Sequence, residues 1–303
     1  MALVTHALVQ ALFVGFRREF QQALGATPSD YLKVATVVPS TTKSNTYGWL
    51  GQFPKFREWI GNRTINSMKE HGYSLVNKDW ESTVGVKRTD IEDDEVGVYN
   101  PLFQEMGRAA ASHPDELVFP LLKVGHTTLC FDGQNYFDTD HPVYANVDGT
   151  GAVTTVANSD IDLVGCAGNP IWYLMDTSRA IKPVIYQERK KPVLLMRSGD
   201  KDENVFTRNE IEFGADMRSN VGFGFWQMAY ASNQPLTAAN YAAARAAMQS
   251  FKGDGGRPLG VRPNLLVVPP ALEGAARKLL VKDENGGNEW GGSAELVTTS
   301  WLA

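Results

Sequence analysis

Cysteine is scarce in this 303-residue chain: Cys130 and Cys166 are the only two. They lack a CxxC spacing, so cysteine usage indicates neither a zinc site nor a redox pair, and it suits a reducing compartment. Histidine is also sparse. The five, His6, His71, His113, His126 and His141, include no HxH or HExxH pair, which leaves a zinc hydrolase without its usual ligand spacing. Long apolar runs are missing as well. The longest, such as Leu265 to Val268, fall far short of the roughly 20 residues that span a bilayer. The apolar opening "MALVTHALVQALFVGF" has no basic segment before it and no small-residue cleavage site after it, so it reads as an amphipathic helix and not as a signal peptide. Positive charge is in deficit: 29 Lys and Arg face 34 Asp and Glu, and the net charge of -5 repels polyanions. The short cluster Arg189-Lys190-Lys191 is read as solvated strand or loop charge instead of a nucleic-acid groove.

Nucleotide and nucleophile motifs are missing too. "GDGGRPLG" (Gly253 to Gly260) is glycine-rich, but it follows a helical pattern and precedes a strand, the reverse of the order that aims backbone amides at a phosphate. No GxSxG elbow occurs. "DKDENV" opens like a calcium loop at Asp200, yet position six is Val205 where glycine is needed and position twelve is Ile211. The acidic run "DIEDDE", Asp90 to Glu95, reads as a solvated face near a helix start.

One stretch does carry the residue types of a site. "FDGQNYFDTDHPVY", Phe131 to Tyr144, gathers three aspartates, a histidine and aromatics around a glycine. Asp138, Asp140 and His141 are types that hold metals or move protons, so a metal-dependent hydrolase is one reading. Turn chemistry is the plainer one: a hairpin turn at Asp132-Gly133, a short strand at Tyr136-Phe137, carboxylates bonded to their own backbone, and His141 held extended before Pro142.

The remaining pattern describes a globular chain with thin, dependent parts. Hydrophobic residues make up 43% and charged residues 21%, enough for a real core. Val9, Leu12, Phe13, Phe16 and Phe20 form one helical stripe that needs a partner surface. The following Pro/Thr/Ser-rich segment to about residue 57 suits an extended arm. In the mostly polar stretch from about 62 to 90, Trp80, Ser82, Val84 and Val86 share one face of a strand, and a lone hairpin of that kind is marginal unless something covers it. Asn100 and Pro101 start a strong helix, interrupted at His113-Pro114 and stopped at Gly125. "GTGAVTTVANSD" reads as a flexible link. Separate strands follow at "KPVIYQE", "KPVLLMR", "NEIEFGAD" and "VGFGFWQMAYAS", then a helix capped by Thr237, the buried strand "NLLVVP", the helix "ALEGAARKLL" and a closing strand "AELVTTSWL".

Long segments of this chain are similar to one known family. "NPLFQEMGRAAASHPDELVFPLL", "FDGQNYFDTDHP", "WYLMDTSRAIKPVIYQERKKP", "NVGFGFWQMAYAS" and "GRPLGVRPNLLVVPPALEGAARKLL" resemble, in the same order, the major head subunit (major capsid protein) of Mu-like bacteriophages. The resemblance implies an α+β chain with the tailed-phage capsid fold, known as the Hong Kong 97 phage fold. It implies an N-terminal arm at 1–50, an extended E-loop at 51–96, and a peripheral domain at 97–144 whose spine helix is Asn100 to Lys123. The region 145–285 is expected to be mainly axial domain, and 286–303 a strand returning to the peripheral domain. It further implies a non-enzymatic virion protein without cofactor or metal, self-assembling as hexamers and pentamers into an icosahedral head around double-stranded DNA. Scaffold and portal proteins are the implied partners, DNA is enclosed without sequence-specific binding, no membrane is involved, and assembly takes place in the host bacterial cytoplasm. Phe13, Phe16, Trp80, Val84 and Val86 are the expected assembly contacts. A hydrolase built on Asp138, Asp140 and His141, or a ring-forming tail or baseplate module, are the alternatives.

Overall fold

The computed structural model describes residues 5–51, 53, 72–93, 96–198, 203–282 and 288–303. The expected E-loop tip at 54–71 and the start of the calcium-like loop at 200–202 lie outside the described residues. In chain order the elements are α1 (His6–Ala26), α2 (Tyr31–Val34), β1 (Ala35–Pro39), β2 (Ser44–Thr46), β3 (Ser74–Val76), β4 (Lys78–Lys87), α3 (Arg88–Glu92), α4 (Asn100–Lys123), β5 (His141–Tyr144), β6 (Val153–Val156), β7 (Ser159–Asp160), β8 (Trp172–Met175), β9 (Val184–Arg197), α5 (Glu203–Arg208), β10 (Glu210–Phe223), β11 (Ala229–Ser232), α6 (Ala238–Gln249), β12 (Lys252–Gly253), β13 (Arg257–Pro258), β14 (Leu265–Val268), α7 (Glu273–Leu280) and β15 (Glu295–Thr298). Short 3-10 turns occupy Val96–Tyr99, Trp226–Met228, Pro270–Leu272 and Ser300–Leu302.

Two sheets organise the chain. One has four strands in the order β1-β9-β10-β4, and the other has five in the order β15-β14-β8-β11-β7. The first hydrophobic core surrounds the five-stranded sheet and the near end of β9 and β10, with Val118, Phe119 and Leu122 of α4 inside it. The second lies where α1 and the first half of α4 cover the far end of the four-stranded sheet. There Phe16 stacks on Phe103 at 4.1 Å, and Phe213 meets both rings edge-on at 5.3 and 5.4 Å. Such arrangements suit the ring quadrupoles and add to the burial of large apolar area. Gly107 permits the close approach of the helices: a Cβ there would lie 2.3 Å from the Phe20 carbonyl oxygen.

Several elements differ from their expectation, each for a physical reason. α4 is continuous through His113-Pro114 and contains Pro114 and Pro120. Each proline removes one backbone N–H, and the helix keeps its course because its buried residues hold it against both cores. The two strands expected at "KPVIYQE" and "KPVLLMR" are a single 14-residue strand, β9, paired antiparallel with an equally long β10. Pairing jumps from Asp216↔Val193 to Arg218↔Lys190, so Pro192 sits in an irregularity where the ladder does not need its missing N–H. The "flexible link" supplies β6, which forms a hairpin with β5. Residues 27–50 do not stand off as an arm: β1 pairs in parallel with β9, and Val34, Ala35, Tyr47 and Leu50 are buried. The closing strand extends the five-stranded sheet beside β14, and the turn after it packs on α4, where Lys123 Nζ donates to the Ala303 carbonyl at 2.6 Å. Thr237 caps α6 as expected, its hydroxyl accepting from the Asn240 amide at 3.3 Å.

Asp115 ties the N-terminal segment to α4. Its carboxylate accepts from the Ser29 hydroxyl (2.9 Å), the Asp30 amide (3.1 Å) and the Tyr31 amide (2.7 Å). Burial raises its pKa, and the hydrogen bonds only partly oppose that shift. A folded pKa above the unfolded value means that this group's stabilisation is fullest below the unfolded pKa and is lost as pH rises through the folded one. In denaturant titrations across pH, wild-type stability relative to Asp115→Asn is therefore expected to decline over that window, while Asp115→Ala loses about 1–3 kcal/mol by orphaning two amides. A pH-independent difference between wild type and Asp115→Asn would refute the charge assignment.

Candidate functional site: a buried histidine cluster and an exposed apolar loop

The conspicuous stretch after α4 folds as a chain of turns. The Cys130 amide donates to the Gln134 carbonyl at 2.8 Å, and Gly133 has φ +90°, a left-handed conformation that glycine adopts without steric cost. The turn expected at Asp132-Gly133 is thus present. Tyr136 and Phe137 do not form the expected strand, because their rings are drawn into the core: Tyr136 stacks on Phe223 at 4.0 Å and donates to the Pro183 carbonyl at 3.0 Å.

His141 begins β5, which carries its ring into the interior. The imidazole is fully buried and stacks flat on Trp226, with centroids 4.1 Å apart and planes 10° apart. Nδ1 lies 2.8 Å from Asp132 Oδ2, and Nε2 lies 3.2 Å from Asn158 Oδ1. Asn158, also fully buried, has its orientation fixed by its other half: Nδ2 donates to the carbonyls of Tyr136 (2.9 Å), Trp226 (3.2 Å) and Ala229 (3.4 Å). Its Oδ1 also accepts from the Asp138 amide at 2.9 Å. One side chain therefore joins the post-helix turn, the hairpin and the strand after Trp226. Burial pushes the Asp132 pKa up, but hydrogen bonds from His141 and Cys130 outweigh it and hold the carboxyl below its ordinary range.

This geometry overturns the hydrolase constellation. Both His141 nitrogens are engaged by Asp132 and Asn158, not by Asp138 or Asp140. Asp138 accepts from the amides of Asn135 (3.2 Å) and Thr139 (2.7 Å), which is the turn chemistry the sequence suggested, and Asp140 is exposed. Among the described residues, the one group of three or more His, Cys, Asp or Glu with ligand atoms close together is Cys130, Asp132 and His141, within 4.8 Å of one another. Asp132, Cys130 and Asn158 escaped sequence reasoning because no periodicity links positions 9, 11 and 17 residues from the histidine on turns and hairpin strands.

Of the five expected assembly contacts, two are buried within the subunit and three are partly exposed. Phe16 and Val86 are buried in the subunit's own second core, while Phe13 and Val84 pack against that core half-covered. Trp80 is half-buried, with its ring 4.5 Å from His113 and its Nε1 donating to the Ser219 carbonyl at 3.3 Å. The apolar stripes were read correctly as needing cover, but α1, α4 and β10 of the same chain supply it. Apolar surface is exposed elsewhere. Between β7 and β8, Leu163 is 64% and Val164 91% exposed. Asp162 Oδ1 accepts from the Val164 and Gly165 amides, both at 2.8 Å, and Asn233 brackets Asp162 with two 2.8 Å hydrogen bonds. The loop is held in shape with its apolar tip outward.

Comparison with known proteins places these features in a family context. Residues 9–302 match the family described as Mu-like prophage major head subunit gpT. The chain is 53% identical over 283 residues to the Mu-like prophage FluMu major head subunit of Haemophilus influenzae (strain ATCC 51907 / DSM 11121 / KW20 / Rd), covering 93% of this chain and 92% of the relative. It is 50% identical over 306 residues to the major capsid protein of Escherichia phage Mu, covering 99% and 100%. Among solved structures, a chain of the bacteriophage JBD30 procapsid superposes with a TM-score of 0.87 at 55% identity, covering 98% of this chain and 100% of that one. A chain of the JBD30 capsid gives 0.73 at 45% identity with full coverage of both.

If His141 and Asn158 serve architecture, Asn158→Ala is expected to destabilise the subunit by about 3 kcal/mol through orphaned buried groups, and Trp226→Ala by about 3–5 kcal/mol through lost packing. Asp140→Ala should stay within about 0.5 kcal/mol of wild type. Urea titration of the three variants checks the ranking, and an Asp140 effect larger than that of Asn158 would reverse the interpretation.

Proposed function

The chain belongs to the family of Mu-like prophage major head subunits, and from that premise we propose that it is a major capsid protein that self-associates into the icosahedral head of a tailed phage. Its role is structural and not enzymatic. The observation that carries this reading is the 50% identity to the phage Mu major capsid protein across 99% of the chain. In the proposed assembly, hexamers and pentamers tile the shell, α4 is the spine of a peripheral domain built on the four-stranded sheet, and the five-stranded sheet with α6 and α7 forms most of the axial domain. The E-loop runs through residues 51–96. Head-to-tail contacts between identical subunits close into rings when their rotation allows it. The higher TM-score against the procapsid chain than against the capsid chain supports reading this conformation as the one belonging to a precursor shell.

Partners and location follow from that role. Scaffold and portal proteins act during assembly in the host cytoplasm, and the product is a virion component enclosing double-stranded DNA. A net charge of -5 supports a lining that does not cling to the genome, since each neutralised phosphate would add salt-dependent affinity. No helix among the described residues is long and apolar enough to cross a membrane.

The exposed Leu163-Val164 tip is the proposed self-association contact, because two adjacent aliphatic side chains face outward on a loop that Asp162 and Asn233 hold in shape. Electron microscopy and sedimentation of the expressed protein with its scaffold should show shells, or rings of five and six. The Leu163→Asp/Val164→Asp variant should remain as folded subunits with an unchanged melting temperature. Normal shells from the variant would remove the loop from the contact surface, and a wild type that stays monomeric with scaffold would overturn the capsid reading.

A further inference from the structure

The fixed orientation of Asn158 has a consequence for the atom between His141 and Asp132. Asn158 presents an acceptor to Nε2, so Nε2 carries a proton. Nδ1 then faces a carboxylate oxygen at 2.8 Å. A neutral ring would set a lone pair against a lone pair there, so the contact requires a cation, either a proton or a metal ion. Three further features favour the metal. Cys130 brings its Sγ to 3.0 Å from the other carboxylate oxygen of Asp132, adding a soft donor at the same point. The outer partners of a metal site are already in place: Asn158 fixes the imidazole tautomer, and the Gln134 amide holds Asp132 at 3.1 Å. Finally, Asp132 lines a small cavity of about 70 Å³ whose wall includes Gln227. Gln227 is 5% exposed, and its buried Oε1 has no hydrogen-bond partner.

We propose that Cys130 Sγ, Asp132 and His141 Nδ1 form a structural zinc site, whose fourth ligand is a water on the Asp132 side, where the cavity and Gln227 Oε1 lie. One sulfur, one nitrogen and one oxygen donor match the borderline softness of zinc, and four-coordination is its usual number in proteins. A thiolate, a carboxylate and a neutral imidazole around Zn(II) leave no net charge in a buried place. Binding releases the Cys130 thiol proton and the proton on Nδ1, so affinity rises with pH. Burial pushes the Cys130 pKa upward, so in the absence of metal the group stays a thiol. Cys130 and His141 are buried, so the ion staples the turn after α4 to the β5–β6 hairpin in a structural role. This differs in residues and in role from a hydrolase at Asp138 and Asp140.

The test uses the folded full-length chain. After incubation with zinc and desalting, elemental analysis should find one zinc per chain, and the melting temperature should rise. Cobalt(II) in place of zinc should give a thiolate-to-cobalt charge-transfer absorption. Cys130→Ser should lose that band, and Asp132→Asn should lose stoichiometric zinc, whereas Cys166→Ser and Asp140→Ala retain both. Wild-type protein with no retained zinc and no charge-transfer band, and with both ring protons of His141 visible by NMR, would show that a proton fills the position and overturn the proposal. Metal that survives Cys130→Ser but is lost in Asp140→Ala would overturn it equally, by moving the ion to the exposed turn.

Discussion

Both hydrophobic cores are built on a single rod, α4. Phe103 and Met106 on its first half belong to the core under α1, and Val118, Phe119 and Leu122 on its second half belong to the core beneath the five-stranded sheet. The paired strands β9 and β10 also pass from one core to the other, with Val184 and Phe223 in the first and Leu194 and Phe213 in the second. A 24-residue helix spans about 36 Å at 1.5 Å per residue, so displacement at one core is carried as a rigid movement to the other. Asp115 sits between these halves and fastens the N-terminal segment to the same rod. The energetic logic is that of a shared scaffold: α1, β1 and the closing 3-10 turn are too small to bury a core alone, and each becomes ordered by lying on a surface that already exists.

The four-stranded sheet obeys a second constraint, the length of β9 and β10. A pair of 14-residue strands would be marginal as an isolated hairpin. β1 covers one edge near Val184–Glu188, and β4 covers the other along ten residues. Beyond Glu188 the β1-side edge carries Arg189, Lys190, Lys191 and Pro192, the charged and proline residues that discourage unwanted strand pairing. The basic cluster that composition alone leaves as a solvated face thus has a use in keeping a long edge from templating the wrong contact.

How much was legible in the sequence depended on whether the signal was local. The α1 stripe, the Thr237 cap, the buried run Leu265 to Val268 and the Asp132-Gly133 turn were readable because each is encoded within a few residues. The continuous course of α4 was not, since His113-Pro114 carries a genuine local penalty and the compensating packing comes from distant segments. The joining of "KPVIYQE" to "KPVLLMR" was hidden similarly: Pro192 reads as a breaker, and only the register against β10 places it where no N–H is required. At the site, His141 and its aspartates were visible as residue types, but the choice of Asp132 over Asp138 and Asp140 belongs to the tertiary arrangement alone.

The burial of Phe16 and Val86 inside the subunit bears on a more general point about self-assembling chains. An apolar stripe such as Phe13-Phe16-Phe20, or Val84-Val86, states only that water must be excluded from one side. It does not state whose atoms do the excluding, and the free energy of burial, about 25 cal/mol per Å², is the same for a cis or a trans partner. What separates the two cases is local rigidity without cover. Leu163 and Val164 are exposed although Asp162 and Asn233 fix the backbone beneath them. Holding a loop in shape costs conformational entropy, and in the proposed assembly burial of these two aliphatic side chains against a neighbouring copy would offset it. For a protein whose neighbours are copies of itself, the informative residues are the apolar ones left uncovered on ordered backbone, more than the stripes that announce a core.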